Sequence, residues 1–214
     1  GFGMIRVERL EGDDLLDGGA GADHMEGGDG IDMVTYISST SRIIVDLVNS
    51  GINFGDAVGD TFVSIEEFIG GRYADQLRGD GGDNTFAGGG FSDRLYGRGG
   101  NDTLNGEGGA DAIYGNSGVD TMTGGADTLR DRFIYFNISE SGVGLGNRDI
   151  ITDFTSGEDR IEISRFDANS VGGGGNDVFV FVGDTAFSNT AGELRYSARK
   201  KLTVIEGDVD GDGT

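Results

Sequence analysis

The chain has no cysteine, no proline and no tryptophan among its 214 residues. Without cysteine there can be no disulfide and no thiolate metal site, a composition compatible with an exported protein. Without proline, collagen and proline-rich linkers are excluded. Long apolar runs are also missing: no stretch approaches the roughly 20 residues that span a bilayer. Gly1 to Leu10 lacks the cationic and apolar regions of a signal peptide, so an export address is expected outside this stretch or by another route. Basic residues are scarce, 16 against 38 acidic ones, for a formal net charge of −22. Such a chain repels a phosphate backbone and attracts cations, which argues against nucleic acid as a partner.

What the chain has in abundance is glycine, 43 residues, while its hydrophobic fraction of 36% lies below that of an ordinary globular domain. Low hydrophobicity with high net charge leaves a chain disordered unless something compensates the charge, and divalent cations would do so. A nine-residue period runs through two blocks. In the first, Asp14, Asp23 and Asp32 are each followed two residues later by Leu16, Met25 and Val34. In the second, Asp75, Asn84, Asp93, Asp102, Asp111 and Asp120 are shadowed by Leu77, Phe86, Leu95, Leu104, Ile113 and Met122.

Between the blocks, Ser38 to Ile69 loses the repeat, and β-branched, alternating stretches around Ile43–Val48 and Thr61–Ile69 predict strands. After Met122 the phase slips near Ala126–Asp131 and aromatics accumulate, from Phe133 to Tyr196. The expected organisation is a first repeat block over 1–36, a connector over 37–69, a second repeat block over 70–135 and a capping region over 136–214.

Each unit approximates GGxGxDxUx, with U a large apolar residue. Paired glycines accept left-handed backbone angles and leave their carbonyls uncovered, so six residues can curl around an ion. The remaining x-U-x makes a minimal strand with one inward side chain. Two units make one coil, so equivalent positions recur every 18 residues. Ca²⁺ takes 6–8 hard oxygen ligands, which two stacked glycine turns can supply as carbonyls plus carboxylates. The candidate ligands are the aspartates of the series, with Asn84, and the turn residues Gly18, Gly19, Gly21, Gly27, Gly28, Gly30, Gly97, Gly99, Gly100, Gly106, Gly108, Gly109, Gly115 and Gly118. The expected stacking pairs are Asp14 with Asp32, Asp75 with Asp93, Asn84 with Asp102, Asp93 with Asp111, and Asp102 with Asp120, giving at least five Ca²⁺ sites. Neutral Asn84 should weaken its pair, and Tyr73 and Phe91 stand where a turn glycine is expected. The fold expected is all-β, a right-handed parallel β-roll with Leu95, Leu104, Ile113 and Met122 facing inward, the hand following from the crossover rule for parallel strands.

These blocks resemble RTX (hemolysin-type) calcium-binding repeats, the nonapeptides of proteins exported by Gram-negative type I secretion systems. The segments DIITDFTSGEDRIEISRFDAN, FVFVGDTAFSNTAGELRY and VIEGDVDGDG resemble the C-terminal region of serralysin-type metalloproteases. The connector, with IIVDL and GDTFVSIEEFIGG, is similar to segments that interrupt the repeats of RTX enzymes such as mannuronan epimerases and lyases. The resemblance implies a secreted, extracellular module that binds several Ca²⁺ ions, folds after export and carries a larger exoprotein's upstream domain. It also implies that the family pattern continues beyond Thr214 into a final strand and a secretion signal. The zinc-protease motif HExxHxxGxxH is absent, and His24 is the sole histidine. No nucleophile–base constellation is present, so no catalytic role is expected within these residues, and any protease, epimerase or lyase activity would belong upstream. A competing reading is a polysaccharide-binding or adhesin module, motivated by the epimerase-like connector and the basic run Arg199, Lys200 and Lys201.

Other features read more simply. His24 follows Asp23 in a repeat and is expected to face solvent. GGGGNDVFV at 172–180 fits the nonapeptide but is out of phase with Asp120, and reads as a loop leading into a strand. Asp208, Asp210 and Asp212 begin like an EF-hand loop and read as an acidic turn. Asp149, Asp153 and Asp159 read as strand-end and turn residues.

Overall fold

The computed structural model describes residues 6–7, 10–142, 146–163, 165, 168, 177–199 and 202–213. The chain divides into two compact units, Gly1–Glu162 and Ile163–Thr214. The first is a parallel β-roll. Its seven-stranded sheet runs in the order Ile150–Ile151, Thr121–Thr123, Thr103–Gly108, Thr85–Gly90, Glu67–Ile69, Met33–Thr35 and Leu15–Leu16. The opposing six-stranded sheet runs Arg160–Glu162, Arg132–Ile134, Ala112–Ser117, Arg94–Gly99, Gln76–Arg78 and Ile44–Asp46. A smaller parallel sheet pairs Arg6–Val7, His24–Glu26 and Thr61–Val63.

The register follows from the repeat. Leu95 pairs with Leu77 and Ile113, and Leu104 with Phe86 and Met122, each 18 residues away. Successive side chains alternate across a strand, so the one apolar residue of each x-U-x triplet points inward. Leu77, Leu95, Leu104, Ile113, Met122 and Phe133 are all fully buried. The core is one side chain per strand, thickened by edge-to-face rings at Phe62–Phe68 and Phe68–Phe86, with centroids 5.0 and 5.9 Å apart. Truncating one of these columns should therefore be costly: Leu104→Ala should lose about 2–5 kcal/mol in urea unfolding at saturating calcium. Thr103→Ala, on the exposed face of the same strand, should stay within about 0.5 kcal/mol.

The stretch that lacks the repeat is threaded into the roll rather than set beside it. Ile44–Asp46 pairs with Gln76–Arg78, and Glu67–Ile69 bridges Met33–Thr35 to Thr85–Gly90, so both repeat blocks share one continuous sheet. The opposite side of the roll is broken there, because Thr61–Val63 pairs with His24–Glu26 while Ile44–Asp46 pairs elsewhere. The sheets also continue beyond residue 135, through Ile150–Ile151 and Arg160–Glu162. Loops of other lengths replace the six-residue turns there, which removes the period without ending the strands.

The second unit holds a three-stranded sheet. Val180–Gly183 runs parallel to Glu193–Arg199, which pairs antiparallel with Leu202–Asp208.

Candidate metal centre

At the starts of the repeat strands Asp32, Asp75, Asp93, Asp102, Asp111 and Asp120 are buried, and Oδ1 of each accepts the backbone N–H of the residue one coil earlier, which for Asp75 is Ile43. Asp93 Oδ1 takes the Asp75 N–H at 2.7 Å, Asp102 the Asn84 N–H at 2.8 Å, Asp111 the Asp93 N–H at 2.7 Å and Asp120 the Asp102 N–H at 2.8 Å. Asp32 takes the Asp14 N–H at 2.9 Å in the first block. The five stacking pairs read from the sequence are thus neighbours in the ladder.

The other oxygen carries the chemistry. Oδ2 of Asp14, Asp32, Asp93, Asp102, Asp111 and Asp120 is buried with no hydrogen-bond partner. A buried carboxylate oxygen left so is expensive unless a cation meets it. Those of Asp32, Asp93, Asp102, Asp111 and Asp120 lie against the first glycine of their own turns: a methyl group at Gly97 would strike both Asp102 Oδ2 and the Gly115 carbonyl, and one at Gly106 both Asp111 Oδ2 and the Gly124 carbonyl. Gly27 is likewise hemmed in by Asp32 Oδ2 and Gly115 by Asp120 Oδ2. Left-handed residues turn the carbonyls: Gly100, Gly109 and Gly118 at the fourth position, and Arg98, Glu107 and Asn116 at the second, with φ of 75, 69 and 67°. In the first block Gly19, Gly21, Gly28 and Gly30 also have positive φ, while Gly18 abuts Asp23. Phe91 takes a left-handed φ of 71° with its ring exposed. The resulting donor set of carboxylate oxygens and glycine carbonyls fits a hard divalent cation of calcium's kind.

Burial is the chief cause of the carboxyls' electrostatics. It pushes Asp93 up to about 8, Asp102 and Asp111 to about 7, and Asp131 and Asp149 to about 6, against the lowering effect of the N–H bonds they accept. Neighbouring carboxylates add to the rise. Asp75 and Asp120 move the same way for the same first reason.

The ladder is longer than the nine-residue period. Asp131 accepts the Asp111 N–H at 2.9 Å, Asp149 the Asp120 N–H at 3.0 Å and Asp159 the Asp131 N–H at 3.1 Å. Asp153 takes the Gly124 and Gly125 N–H groups. At the connector, Asp60 receives the Asp23 N–H and Glu66 the Asp32 N–H, both at 2.9 Å. A count in nines misses these residues. The surviving signal is the acidic-x-apolar triplet at Asp60–Phe62, Glu66–Phe68, Asp131–Phe133, Asp149–Ile151 and Asp159–Ile161.

Elsewhere the arrangement is plainer. His24 Nδ1 lies 2.8 Å from Thr61 Oγ1. Asp208, Asp210 and Asp212 come together, but both oxygens of buried Asp208 already accept backbone N–H groups, from Gly211 at 2.7 Å and Gly213 at 3.0 Å. Most of the segment 172–180, the Arg199 side chain, Lys200 and Lys201 lie outside the described residues. No helix among the described residues is long and apolar enough to cross a membrane.

Stacked glycine turns with one carboxylate per strand define a calcium-binding β-roll. Family models agree: residues 10–34 match the RTX calcium-binding nonapeptide repeat (4 copies), and residues 49–214 match the Peptidase M10 serralysin C terminal model. The chain belongs to the serralysin C-terminal family. No curated protein matches it.

Proposed function

We propose that this chain is the calcium-dependent folding module of a larger exported protein, open in a calcium-poor cytosol and folded outside the cell. The observation that carries this reading is the column of buried carboxylate oxygens without partners in a chain of net charge −22. Asp14, Asp23, Asp32, Asp93, Asp102, Asp111 and Asp120 would hold the ions together with carbonyls of their turns, and Asp131 and Asp149 extend the series. Bound calcium supplies the positive charge that the buried carboxylates lack. The chain's own part is to preset the geometry: in Asp32, Asp93, Asp102, Asp111 and Asp120 an N–H of the preceding coil fixes Oδ1, which leaves Oδ2 aimed into the turn. Because each coil rests mainly on its neighbours, order spreads along the roll from whichever end is already structured.

Extracellular calcium modules bind at about 10⁻⁴–10⁻³ M, far above bacterial cytosolic levels, so the open form is the one available for export. The module would carry and stabilise an upstream domain, with catalysis left to that domain. Limited proteolysis tests this. In chelator the chain should be cut throughout, and in millimolar calcium the stretch from Leu15 to Glu162 should resist. Equal digestion in both would contradict it.

A further inference from the structure

The calcium ladder is interrupted where the roll is broken. At three rungs in or beside the connector, the acceptor that would point at an ion already has a protein donor. Asp60 Oδ2 accepts the buried Tyr36 hydroxyl at 2.7 Å. Asp75 Oδ2 accepts the Gly71 N–H at 2.6 Å. The Asn84 side-chain oxygen accepts the Asp80 N–H at 3.0 Å, and this rung carries no charge.

Beside that last rung, one of the turn carbonyls that would flank an ion along the intact ladder has a different occupant. Along the intact ladder a carboxylate oxygen faces a glycine carbonyl of the following coil: Asp93 with Gly106, Asp102 with Gly115, Asp111 with Gly124. At the break the corresponding carbonyl is that of Gly79, which follows Gln76–Arg78, and beside it lies the carboxylate of Asp46, a strand-end residue in register with Arg78 and Tyr96 and outside the column of ladder aspartates. The Arg98 guanidinium lies between them. Its Nη1 donates to Gly79 O at 2.6 Å and Asp46 Oδ1 at 3.0 Å, and its Nη2 donates to Asp46 Oδ2 at 2.7 Å. Asp46 is almost fully buried, and Arg98 holds a left-handed φ of 75° at a position where the repeat favours glycine. A planar guanidinium paired bidentately with a buried carboxylate is a fixed, permanent cation.

We propose that Arg98 stands in for a calcium ion at this break, so that the connector is joined to the second block by an ion-free seam sealed by Arg98–Asp46 and Tyr36–Asp60. The seam divides the ions into two arrays, one in each repeat block. The inference rests on the proposed calcium reading and sharpens it by naming a rung that takes none.

The test is calcium stoichiometry, measured by equilibrium dialysis with elemental analysis on the whole chain in millimolar calcium. Arg98→Gly restores the glycine of the repeat and frees the Gly79 carbonyl and Asp46 Oδ2, beside which the Arg78 guanidinium remains, at 3.6 Å. It should bind one more calcium per chain than the wild type and need more calcium to fold. Asp46→Asn leaves the guanidinium in place and should keep the wild-type number, with lower stability to urea at saturating calcium. If Arg98→Gly gains no ion, or if Asp46→Asn loses one, the seam is overturned. Should Arg98→Gly fail to fold at saturating calcium, the Asp46→Asn count decides by itself. A wild type that binds no calcium would instead sink the underlying reading.

Discussion

Asp102→Ala should lose about 3–5 kcal/mol of stability in millimolar calcium, and Asn84→Ala about 1 kcal/mol. Asp102 is buried between two turns. Its Oδ1 holds the Asn84 N–H, its own N–H reaches Asp120 Oδ1 and its Oδ2 points into the turn against Gly97. Removing the side chain orphans a buried N–H, which costs about 1–3 kcal/mol. It also removes a shared ligand, and a site filled at a hundredfold excess over its dissociation constant contributes about 2.7 kcal/mol. Asn84, by contrast, accepts only the local Asp80 N–H with its side-chain oxygen and brings no charge. Asp102→Asn, which keeps an acceptor but not the charge, should fall between. Urea unfolding at fixed calcium measures all three, and equal losses for the Asp102 and Asn84 alanine variants would contradict the ladder.

Mild acid should stabilise the calcium-free roll while weakening its hold on calcium. Burial raises Asp93 to about 8, Asp102 and Asp111 to about 7, and Asp131 and Asp149 to about 6, whereas an unfolded aspartate titrates near 3.9. A carboxyl whose folded value lies above its unfolded one binds its proton more tightly in the native state. Its contribution to stability is complete below about pH 4 and is lost as the pH climbs through 6 to 8. Calcium-free protein should therefore gain β structure between pH 8 and pH 5. Protons compete for the same oxygens, so the calcium needed for half-folding should rise over that interval. Circular dichroism of dialysed, calcium-free protein follows the first effect. A β signal that falls on going from pH 8 to pH 5 would show that the buried carboxylates do not govern the calcium-free state.

Much of this was legible from residue spacing alone. A nine-residue step with an apolar residue two places after each aspartate dictates a coil of two strands, an inward column at Leu77, Leu95 and Ile113, and aspartates stacked every 18 residues. Spacing could not show where the ladder goes once the loops change length. Asp131, Asp149 and Asp159 keep the strand-start role because backbone pairing needs only the acidic-x-apolar triplet, and not a fixed turn. Nor could it show the seam. Arg98 replaces a glycine that the pattern treats as interchangeable, and its partner Asp46 lies 52 residues earlier in a stretch without repeats. Tyr36 and Asp60 belong to different segments of the sequence and meet only because Thr61–Val63 pairs with His24–Glu26.

The central claim is that the buried carboxylate ladder makes the fold conditional on calcium. Far-ultraviolet circular dichroism of the whole chain during a calcium titration at pH 7.5, with magnesium as the control, tests it most directly. Magnesium demands near-ideal octahedral geometry at shorter distances and gives up its water reluctantly, so it should not substitute in these turns. The expected result is a disordered spectrum in excess chelator and a cooperative gain of β structure as calcium approaches millimolar levels, with little change in magnesium. A spectrum already rich in β structure in chelator and unchanged by millimolar calcium would contradict the account.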